Sequence, residues 1–174
     1  MSKVTLRYLR PEDRESFIRA NNAEWKGFIF AHYWDSIAGG DYGRYVKLVP
    51  DFSSGLHIPK EHVPCTILFA FDEAGELVGR TSIRHELTEL LMEEGGHMGY
   101  CVTPGFRKNG YGSCILKESL TYIRTNLFDI DQVLVTCDKE NIGSRKIIEK
   151  NSGVLQNIIE GPKEKNKMRY WIKL

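Results

Sequence analysis

The sequence predicts a mixed α+β domain in which helices are inserted into a hairpin-rich sheet. Its 174 residues suit one domain, since domains usually have about 100–200 residues. Residues 65–71 and 77–86 are apolar runs separated by a short acidic turn, which is a hairpin signal. Between residues 116 and 127, leucine and isoleucine recur every three or four positions, as on the apolar stripe of a helix. We therefore interpret residues 1–174 as a single domain.

The other elements follow from local patterns along the chain. The first strand alternates apolar and polar residues from Val4, and Pro11 with two acids then opens a helix. Residues 50–64 contain three prolines and a Ser-Ser-Gly run, which predicts a loop. Further helices are predicted to begin near Gly110 and Asn141. The strand-like segments are residues 4–10, 65–71, 77–86, 97–103, 132–137, 154–160 and 168–174.

Composition and charge limit the classes of partner. The formal net charge is +1, which gives no electrostatic reason to expect a nucleic acid partner. None of the 4 cysteines has the spacing of a zinc site, so we expect buried, reduced thiols and no metal. The N-terminus lacks the apolar stretch of a signal peptide, and no apolar run approaches a membrane span. We expect a cytoplasmic protein that does not interact with membranes, and its assembly as a homodimer is left open.

The segment from Val102 to Ser113 carries the chemical signal. A strand ends at Pro104, a short loop follows, and a helix begins near Gly110 and Gly112. Glycine lets backbone N–H groups approach an anion closely, and a helix N-terminus adds unpaired donors and partial positive charge. Arg107 and Lys108 add full charges on the same turn. Together these residues predict a cradle for a pyrophosphate.

Two common phosphate motifs are absent from the sequence. It contains no GxxxxGK[ST] loop and no GxGxxG between a strand and a helix with an acid downstream.

What it does contain resembles the acetyl-CoA signature of the GNAT N-acetyltransferase superfamily, [Q/R]-x-x-G-x-[G/A] after a strand ending V-x-P. Here Arg107, Gly110 and Gly112 follow Val102-Thr103-Pro104. The family's Asn-x-x-[S/A] element matches residues 141–144, and Glu149 begins a stretch that resembles its E-K-x-G-F.

The resemblance implies a fold and a cosubstrate. It implies a GNAT fold, with a mostly antiparallel sheet of about seven strands that splays between the fourth and fifth, flanked by about four helices. It also implies that acetyl-CoA serves as acyl donor, with no metal, and that its pantetheine arm lies in the gap between the splayed strands. The residues implied to bind acetyl-CoA are Cys101, Val102, Thr103, Arg107, Lys108, Asn109, Gly110, Tyr111, Gly112, Ser113 and Asn141.

Acetyl transfer to an amine requires a neutral amine, so a base must remove a proton. Histone-acetylating members of the family keep a glutamate base near the position of His97. An imidazole with an ordinary pKa near 6.5 suits this task, so His97 is one candidate base, although it could instead simply end a strand. On the neighbouring strand, Glu86 is a second candidate base, and Arg84 and His85 are candidate acceptor-binding residues, with Arg84 suited to a carboxylate.

The general acid is left open. Many relatives place a tyrosine eight residues after the helix-start asparagine, but here that position is Glu149. A carboxylate is a poor proton donor unless its pKa is strongly raised. The leaving thiolate could depart unassisted, because thiol pKa values lie near 8–9, or it could take a proton from Tyr111, Tyr122 or an imidazole.

The acceptor is an unidentified amine of a small molecule, peptide or protein. Residues 25–45 hold seven aromatic residues and stand where the family builds its acceptor site, so the rings form either core or a lid that turns at Gly39-Gly40. Glu86, Glu89, Glu93 and Glu94 favour a cationic amine. The alternative function is a non-catalytic module that binds acyl-CoA.

Overall fold

The computed structural model describes residues 3–160 and 166–174. Within these residues the chain forms seven strands and four α-helices. The strands are β1 (Thr5–Arg7), β2 (Cys65–Phe71), β3 (Leu77–Arg84), β4 (Met98–Val102), β5 (Gln132–Asp138), β6 (Val154–Glu160) and β7 (Asn166–Lys173). The helices are α1 (Arg14–Asn21), α2 (Tyr42–Leu48), α3 (Tyr111–Asn126) and α4 (Ile142–Lys150). Short helical turns span Pro11–Asp13, Val49–Ser54, Leu91–Gly95 and Pro104–Phe106, so the predicted loop after residue 50 begins inside a 3-10 turn.

All seven strands join one sheet in the order β1-β2-β3-β4-β5-β7-β6. Neighbouring strands are antiparallel except β4 and β5, which run parallel and are in register at Met98 and Val135. Because the two strands pair only at this short contact, they separate toward the C-terminal end of β4. The predicted α+β class, the antiparallel character of the sheet and the splay between the fourth and fifth strands are confirmed.

The sheet is covered on both faces. On one face α3 buries the predicted apolar stripe, including Leu116, Leu120 and Ile123, against β4, β5 and β7. On the other face, α1 and the aromatic segment pack on β2 and β3. Each packed face removes apolar side chains from water, which is the main favourable contribution to folding.

The aromatic segment is mostly core. Four of its aromatic side chains are buried, namely Trp25, Phe30, Tyr42 and Tyr45. The rings of Phe30, Tyr42 and Tyr45 pack against Phe17 of α1 at centroid distances of 5.2–6.2 Å, and Trp25 stacks on Phe30 at 4.9 Å. Offset and edge-to-face aromatic pairs of this kind stabilise a core beyond the area that they bury. The structure thus favours the core interpretation of residues 25–45, although part of the segment also reaches the cleft described next.

Candidate functional site

A cleft of about 650 Å³ opens where β4 and β5 separate. Its walls come from β4, from the loop and first turn of α3, and from the start of α4, and we call it the β4–α4 cleft. Nine of the sequence-predicted residues line it, namely Cys101, Val102, Arg107, Lys108, Gly110, Tyr111, Gly112, Ser113 and Asn141. Seven further lining residues are not among those that the sequence implies for binding, namely Trp25, Phe28, Tyr100, Phe106, Gly143, Ser144 and Ile147.

The loop before α3 has the backbone of an anion site. Lys108 and Gly110 both have left-handed backbone angles, with φ of 66° and 83°. Turns of this kind bring successive backbone N–H groups around a concavity that attracts anions. Gly110 is the N-cap of α3, and no side chain among the described residues caps this helix through a hydrogen bond. The first-turn donors and the positive end of the helix dipole are therefore available to a ligand.

Glycine is required at the second motif position, Gly112, for a different reason. A Cβ built on Gly112 would lie 2.7 Å from Cδ1 of Ile147, which is closer than packed atoms allow. Gly112 thus permits α3 and α4 to approach each other closely beside the cleft. One glycine of the pair serves backbone conformation and the other serves helix packing.

Arg107 and its neighbours frame the mouth of the cleft. The exposed Arg107 side chain donates from Nε to the carbonyl of Val102 at 3.2 Å, and its guanidinium carbon lies 5.6 Å from the ring centroid of Trp25. Thr103 is buried, and its hydroxyl donates to the carbonyl of Leu77. Asn109 lies in the loop, and its amide donates to the carbonyl of Phe106. Thr103 and Asn109 therefore support the loop rather than the cleft wall.

Across the cleft, the start of α4 presents a polar pair. The side chain of Asn141 caps α4 by accepting from the backbone N–H of Ser144 at 3.0 Å. The hydroxyl of Ser144 lies 3.0 Å from the hydroxyl of Tyr100 on β4. Burial raises the pKa of Tyr100 to about 12, so its phenol keeps its proton at neutral pH. Glu149, at the position where relatives have a tyrosine, accepts instead from Tyr170 at 3.1 Å.

The structure places His97 outside both this cleft and the cavity described next. Its Nδ1 accepts the backbone N–H of Leu134 at 3.0 Å, and its own backbone bonds both Leu134 and Arg84. A backbone N–H can only donate, so the neutral ring carries its proton on Nε2 and has no lone pair left there to accept another. Burial also lowers the pKa of His97. The role of His97 as a base therefore stays a prediction, with this geometry against it.

The remaining predicted residues spread over the end of β3. Glu86 is exposed, and like Glu89, Glu93 and Glu94 it lies outside the lining of both cavities. His85 bonds the hydroxyl of Thr66 at 2.8 Å, and by strand alternation it faces the side of the sheet opposite Arg84. The structure therefore separates these groups, and only Arg84 faces a cavity.

A second cavity of about 260 Å³ lies on the face of the sheet that carries the aromatic core. Its floor is formed by Cys65 and Ile67 of β2 with Ser82 and Arg84 of β3, and its other walls come from residues 32–33, 61–63, 88 and 90–91. We call it the His62 cavity. Ser82 pairs with Gly99 of β4, and the next pair on the same face is Arg80 with Cys101, which lines the β4–α4 cleft. The His62 cavity therefore comes within one cross-strand pair of Cys101, the β4 residue through which the β4–α4 cleft reaches this face of the sheet.

Two titratable side chains, Tyr33 and the exposed His62, meet at the rim of the His62 cavity. The Tyr33 hydroxyl lies 2.6 Å from Nδ1 of His62, and burial raises the pKa of Tyr33. Tyr33 has a left-handed backbone, with φ of 63°, which few residues other than glycine adopt. Strained backbone of this kind persists only where the surroundings enforce it, and it is concentrated at functional sites.

Arginines control the charge of this region. Arg80 is fully buried and donates to the carbonyls of Phe30 and Ile29 and to Nε2 of His32, the last at 2.8 Å. Burial, with smaller contributions from Arg80 and Arg84, lowers the pKa of His32 to about 3. His32 is therefore neutral at physiological pH and serves as a hydrogen-bond acceptor for Arg80.

This buried neutral histidine predicts acid sensitivity. The folded protein binds a proton at His32 less tightly than the unfolded chain, whose histidines have pKa values near 6.5. The contribution of the neutral His32 to the free energy of unfolding is complete above pH 6.5. It is lost as the pH falls from 6.5 toward 3, by at most about 1.4 kcal/mol per pH unit. We expect His32→Gln to flatten this part of the stability profile, as measured by urea unfolding between pH 7 and 4. The exposed His57→Asn variant is the control, and an unchanged slope in His32→Gln would contradict the assignment.

Neither a membrane span nor a metal cluster is found in residues 3–160 and 166–174. No helix there is long and apolar enough to cross a membrane. No group of three or more histidine, cysteine, aspartate or glutamate side chains in the same described ranges could hold a metal ion.

Comparison with solved structures reveals the same architecture at low identity. A crystal structure of mutant forms of the spermidine/spermine N-acetyltransferase SpeG from Vibrio cholerae superposes with a TM-score of 0.63 at 15% identity, covering 98% of this chain and 95% of that one. The microcin self-immunity acetyltransferase MccE, solved with acetyl-CoA and AMP, gives 0.66 at 13% identity, covering 99% and 93%. The ribosomal-protein α-N-acetyltransferase RimL gives 0.65 at 14% identity, covering 99% and 91%. At these identities the likeness establishes the fold alone.

The family assignment depends on the sequence profile. No curated protein sequence matches this chain. The profile of the acetyltransferase (GNAT) domain matches residues 3–153, which is most of the chain and includes both cavities. The chain belongs to the GNAT acetyltransferase family.

Proposed function

We propose that this protein is an acetyl-CoA-dependent N-acetyltransferase that moves an acetyl group directly to a primary amine. The observation that carries the proposal is that two sites lie next to each other, one cross-strand pair apart. The β4–α4 cleft has an anion-binding backbone at one end, and the His62 cavity begins one cross-strand pair beyond Cys101. Direct transfer needs such an arrangement, because donor and acceptor must meet in one orientation.

The residues of the cleft fit acetyl-CoA. The backbone around Gly110, with Arg107 and Lys108, would hold the pyrophosphate, and β4 from Tyr100 to Val102 would hold the amide-rich arm. When bound, acetyl-CoA supplies an activated thioester. Backbone N–H groups of β4 are candidates to stabilise the oxyanion that develops during transfer.

His62 is the candidate general base in this proposal. Its partner is a hydroxyl, which can accept as well as donate, so the ring can hold its proton on Nδ1 toward Tyr33 and offer a lone pair at Nε2. This freedom is what His97 lacks. His32 is disfavoured because its Nε2 already accepts from Arg80. Glu61, which is exposed at the same cavity, is the rival base.

The hydroxyl pair of Tyr100 and Ser144 is the candidate hydrogen-bond donor to the departing thiolate. Both residues line the cleft, and their hydroxyls bond each other across it at 3.0 Å. Because burial raises the pKa of Tyr100 to about 12, the phenol keeps its proton at neutral pH, and it would stabilise the developing thiolate by donating a hydrogen bond to it. Tyr111, one of the donors that the sequence suggests, is bonded instead to Asp72 at the outer end of the cleft.

A thiol-release assay tests the proposed function. The protein is incubated with acetyl-CoA and a library of amines, and free CoA is measured against a reaction without acceptor. Release above that background, with an acetylated product of the expected mass, supports the enzyme. Tight binding of acetyl-CoA without release from any amine would favour the alternative of a non-catalytic acyl-CoA-binding module.

We expect Arg107→Ala to weaken acetyl-CoA more than acetyl-pantetheine, which lacks the pyrophosphate. Charge-assisted contacts to phosphate are worth roughly 1.5–3 kcal/mol, or about 10- to 150-fold in Kd. Isothermal calorimetry with both ligands measures the difference, and Lys117→Ala, on α3, is the control. Equal losses for both ligands would show that Arg107 acts by holding Val102 and the loop.

A further inference from the structure

We propose that the acceptor is a small amine that also carries a carboxylate, such as a free amino acid, and that Arg84 binds this carboxylate. The proposal rests on the acetyl transfer proposed above and adds the chemical class of the acceptor. It also replaces the cationic acceptor that the four glutamates favoured, because those residues lie outside the His62 cavity.

The first argument is the electrostatic state of Arg84. Arg84 lines the His62 cavity, and its Nη1 donates to the carbonyls of Gly95 and Gly96 at 3.3 and 3.0 Å. No carboxylate among the described residues lies within 4 Å of its nitrogens. Burial lowers the pKa of Arg84, which means that its charge is incompletely compensated by the protein. A bound anion would provide that compensation, and a guanidinium fork matches a carboxylate well.

Arg84 is better placed than the neighbouring basic groups to bind an anion in this cavity. Arg80 is occupied by two backbone carbonyls and by His32, which is itself neutral. Within the part of the chain that the structure describes, the only acid that lines the cavity is the exposed Glu61. The inner end of the cavity is therefore positive. A polyamine would meet repulsion there, whereas a carboxylate would be attracted.

The size and spacing of the site favour a small acceptor. The cavity volume of about 260 Å³ is below the roughly 300–1,000 Å³ of sites for drug-sized ligands. Arg84 is two residues from Ser82, a separation of about 7 Å along the strand, and Ser82 pairs with Gly99 of β4. An acceptor held at Arg84 by its carboxylate would thus lie on the same face of the sheet as Ser82 and Cys101, along the line from the His62 cavity to the β4–α4 cleft.

The same charge would assist the chemistry. A positive potential disfavours the protonated form of a bound amine and so lowers its pKa. The neutral amine is the form that attacks a thioester. Arg84 would therefore position the acceptor and increase the fraction of it that is ready to react, while His62 removes the proton released during transfer.

The test uses matched acceptors. Glycine, serine, leucine and phenylalanine are each compared with the corresponding amide and the decarboxylated amine, with spermidine included as a polyamine. We expect at least one free amino acid to exceed both of its analogues in kcat/KM by about 10- to 100-fold, the usual value of a charge-assisted carboxylate contact. In Arg84→Gln this preference should vanish, because the free amino acids lose the carboxylate contact and their rates fall further than those of the analogues. Amides or spermidine that match or exceed the amino acids would overturn the proposal.

Direct binding separates this proposal from the proposed function. Calorimetry with acetyl-CoA, and ligand-detected NMR with the same amino acids and amides, are run on the wild type, Arg84→Gln, Arg84→Lys and the exposed control Arg124→Gln. We expect unchanged acetyl-CoA affinity in all four proteins and amino acid binding that only the Arg84 variants lose, fully in Gln and partly in Lys. Such binding without any CoA release would reject the transferase and keep the carboxylate site. Equal binding of amino acids and amides would reject the carboxylate site, whatever the activity.

Discussion

Gly110→Glu is expected to abolish acetyl-CoA binding while leaving the protein folded. Gly110 begins α3 at the mouth of the β4–α4 cleft, where an anion is proposed to sit on the first-turn N–H groups. A side chain at this position would occupy the anion site, and a carboxylate would also repel the pyrophosphate. Calorimetry should detect no binding at concentrations that saturate the wild type, and circular dichroism should be unchanged.

The control must separate backbone strain from loss of the site. Gly110 has φ of 83°, so any side chain there costs roughly 1–2 kcal/mol of stability. Gly40→Glu introduces the same charge at φ of 71°, in open space and outside both cavities. It should lose similar stability but keep its affinity. A folded Gly110→Glu protein that binds acetyl-CoA as tightly as Gly40→Glu would refute the position proposed for the pyrophosphate.

His62→Ala is expected to lower kcat/KM by about 10²- to 10⁴-fold, the usual range for loss of a general base. Removing the base should also remove the part of the pH profile in which the rate rises with pH. Binding of acetyl-CoA should be unaffected, because His62 lines the other cavity. The profile needs two acceptors of different basicity, since the titration of the amine itself can imitate that of an enzyme group.

Three further variants distinguish His62 from its rivals. Tyr33→Phe removes the hydroxyl that orients the ring and should cost less than His62→Ala. Glu61→Gln tests the other acid–base group of the cavity, and His97→Gln tests the base suggested by sequence. If Glu61→Gln or His97→Gln abolishes the pH-dependent limb and His62→Ala does not, the assignment to His62 is wrong.

The sequence alone is sufficient to predict the architecture and the cleft. Hydrophobic periodicity locates the strands to within a few residues, because a strand or helix with one buried face must repeat its apolar residues. The Arg107 to Gly112 motif locates the cleft because its residues are consecutive and their geometry is local. Position 110 requires a left-handed backbone, and position 112 requires a residue small enough to pack against Ile147. Both requirements fall within one short stretch of sequence, where a motif can reveal them.

The His62 cavity could not be predicted in the same way. Its residues come from four separate stretches of the chain, and they meet only because β2 and β3 pair and the aromatic segment folds back over them. Residues 61–64 belong to a predicted loop, and nothing local marks His62 as different from any exposed histidine. The cluster of aromatics at 25–45 is a signal that indicates the right region, without indicating that Tyr33 would face a histidine.

The base assignment to His97 illustrates a general limit. The sequence predicts that His97 lies at the start of a strand, but the availability of a ring nitrogen depends on its hydrogen-bond partner. That partner, the N–H of Leu134, belongs to another strand 37 residues away. Sequence identifies which residues can transfer protons at neutral pH, whereas tertiary contacts decide which of them are free to do so.

The short parallel contact between β4 and β5 has a consequence for the state of the protein in solution. Beyond Met98 and Val135, the facing sides of these strands behave as sheet edges, because their backbone N–H and C=O groups are not paired across the gap. Such an edge accepts any extended chain that alternates donors and acceptors, whether it is a pantetheine arm or a strand of another molecule. Occupancy of the cleft by a cosubstrate would therefore protect the protein against edge-to-edge aggregation, and depletion of that cosubstrate would expose the chain to it.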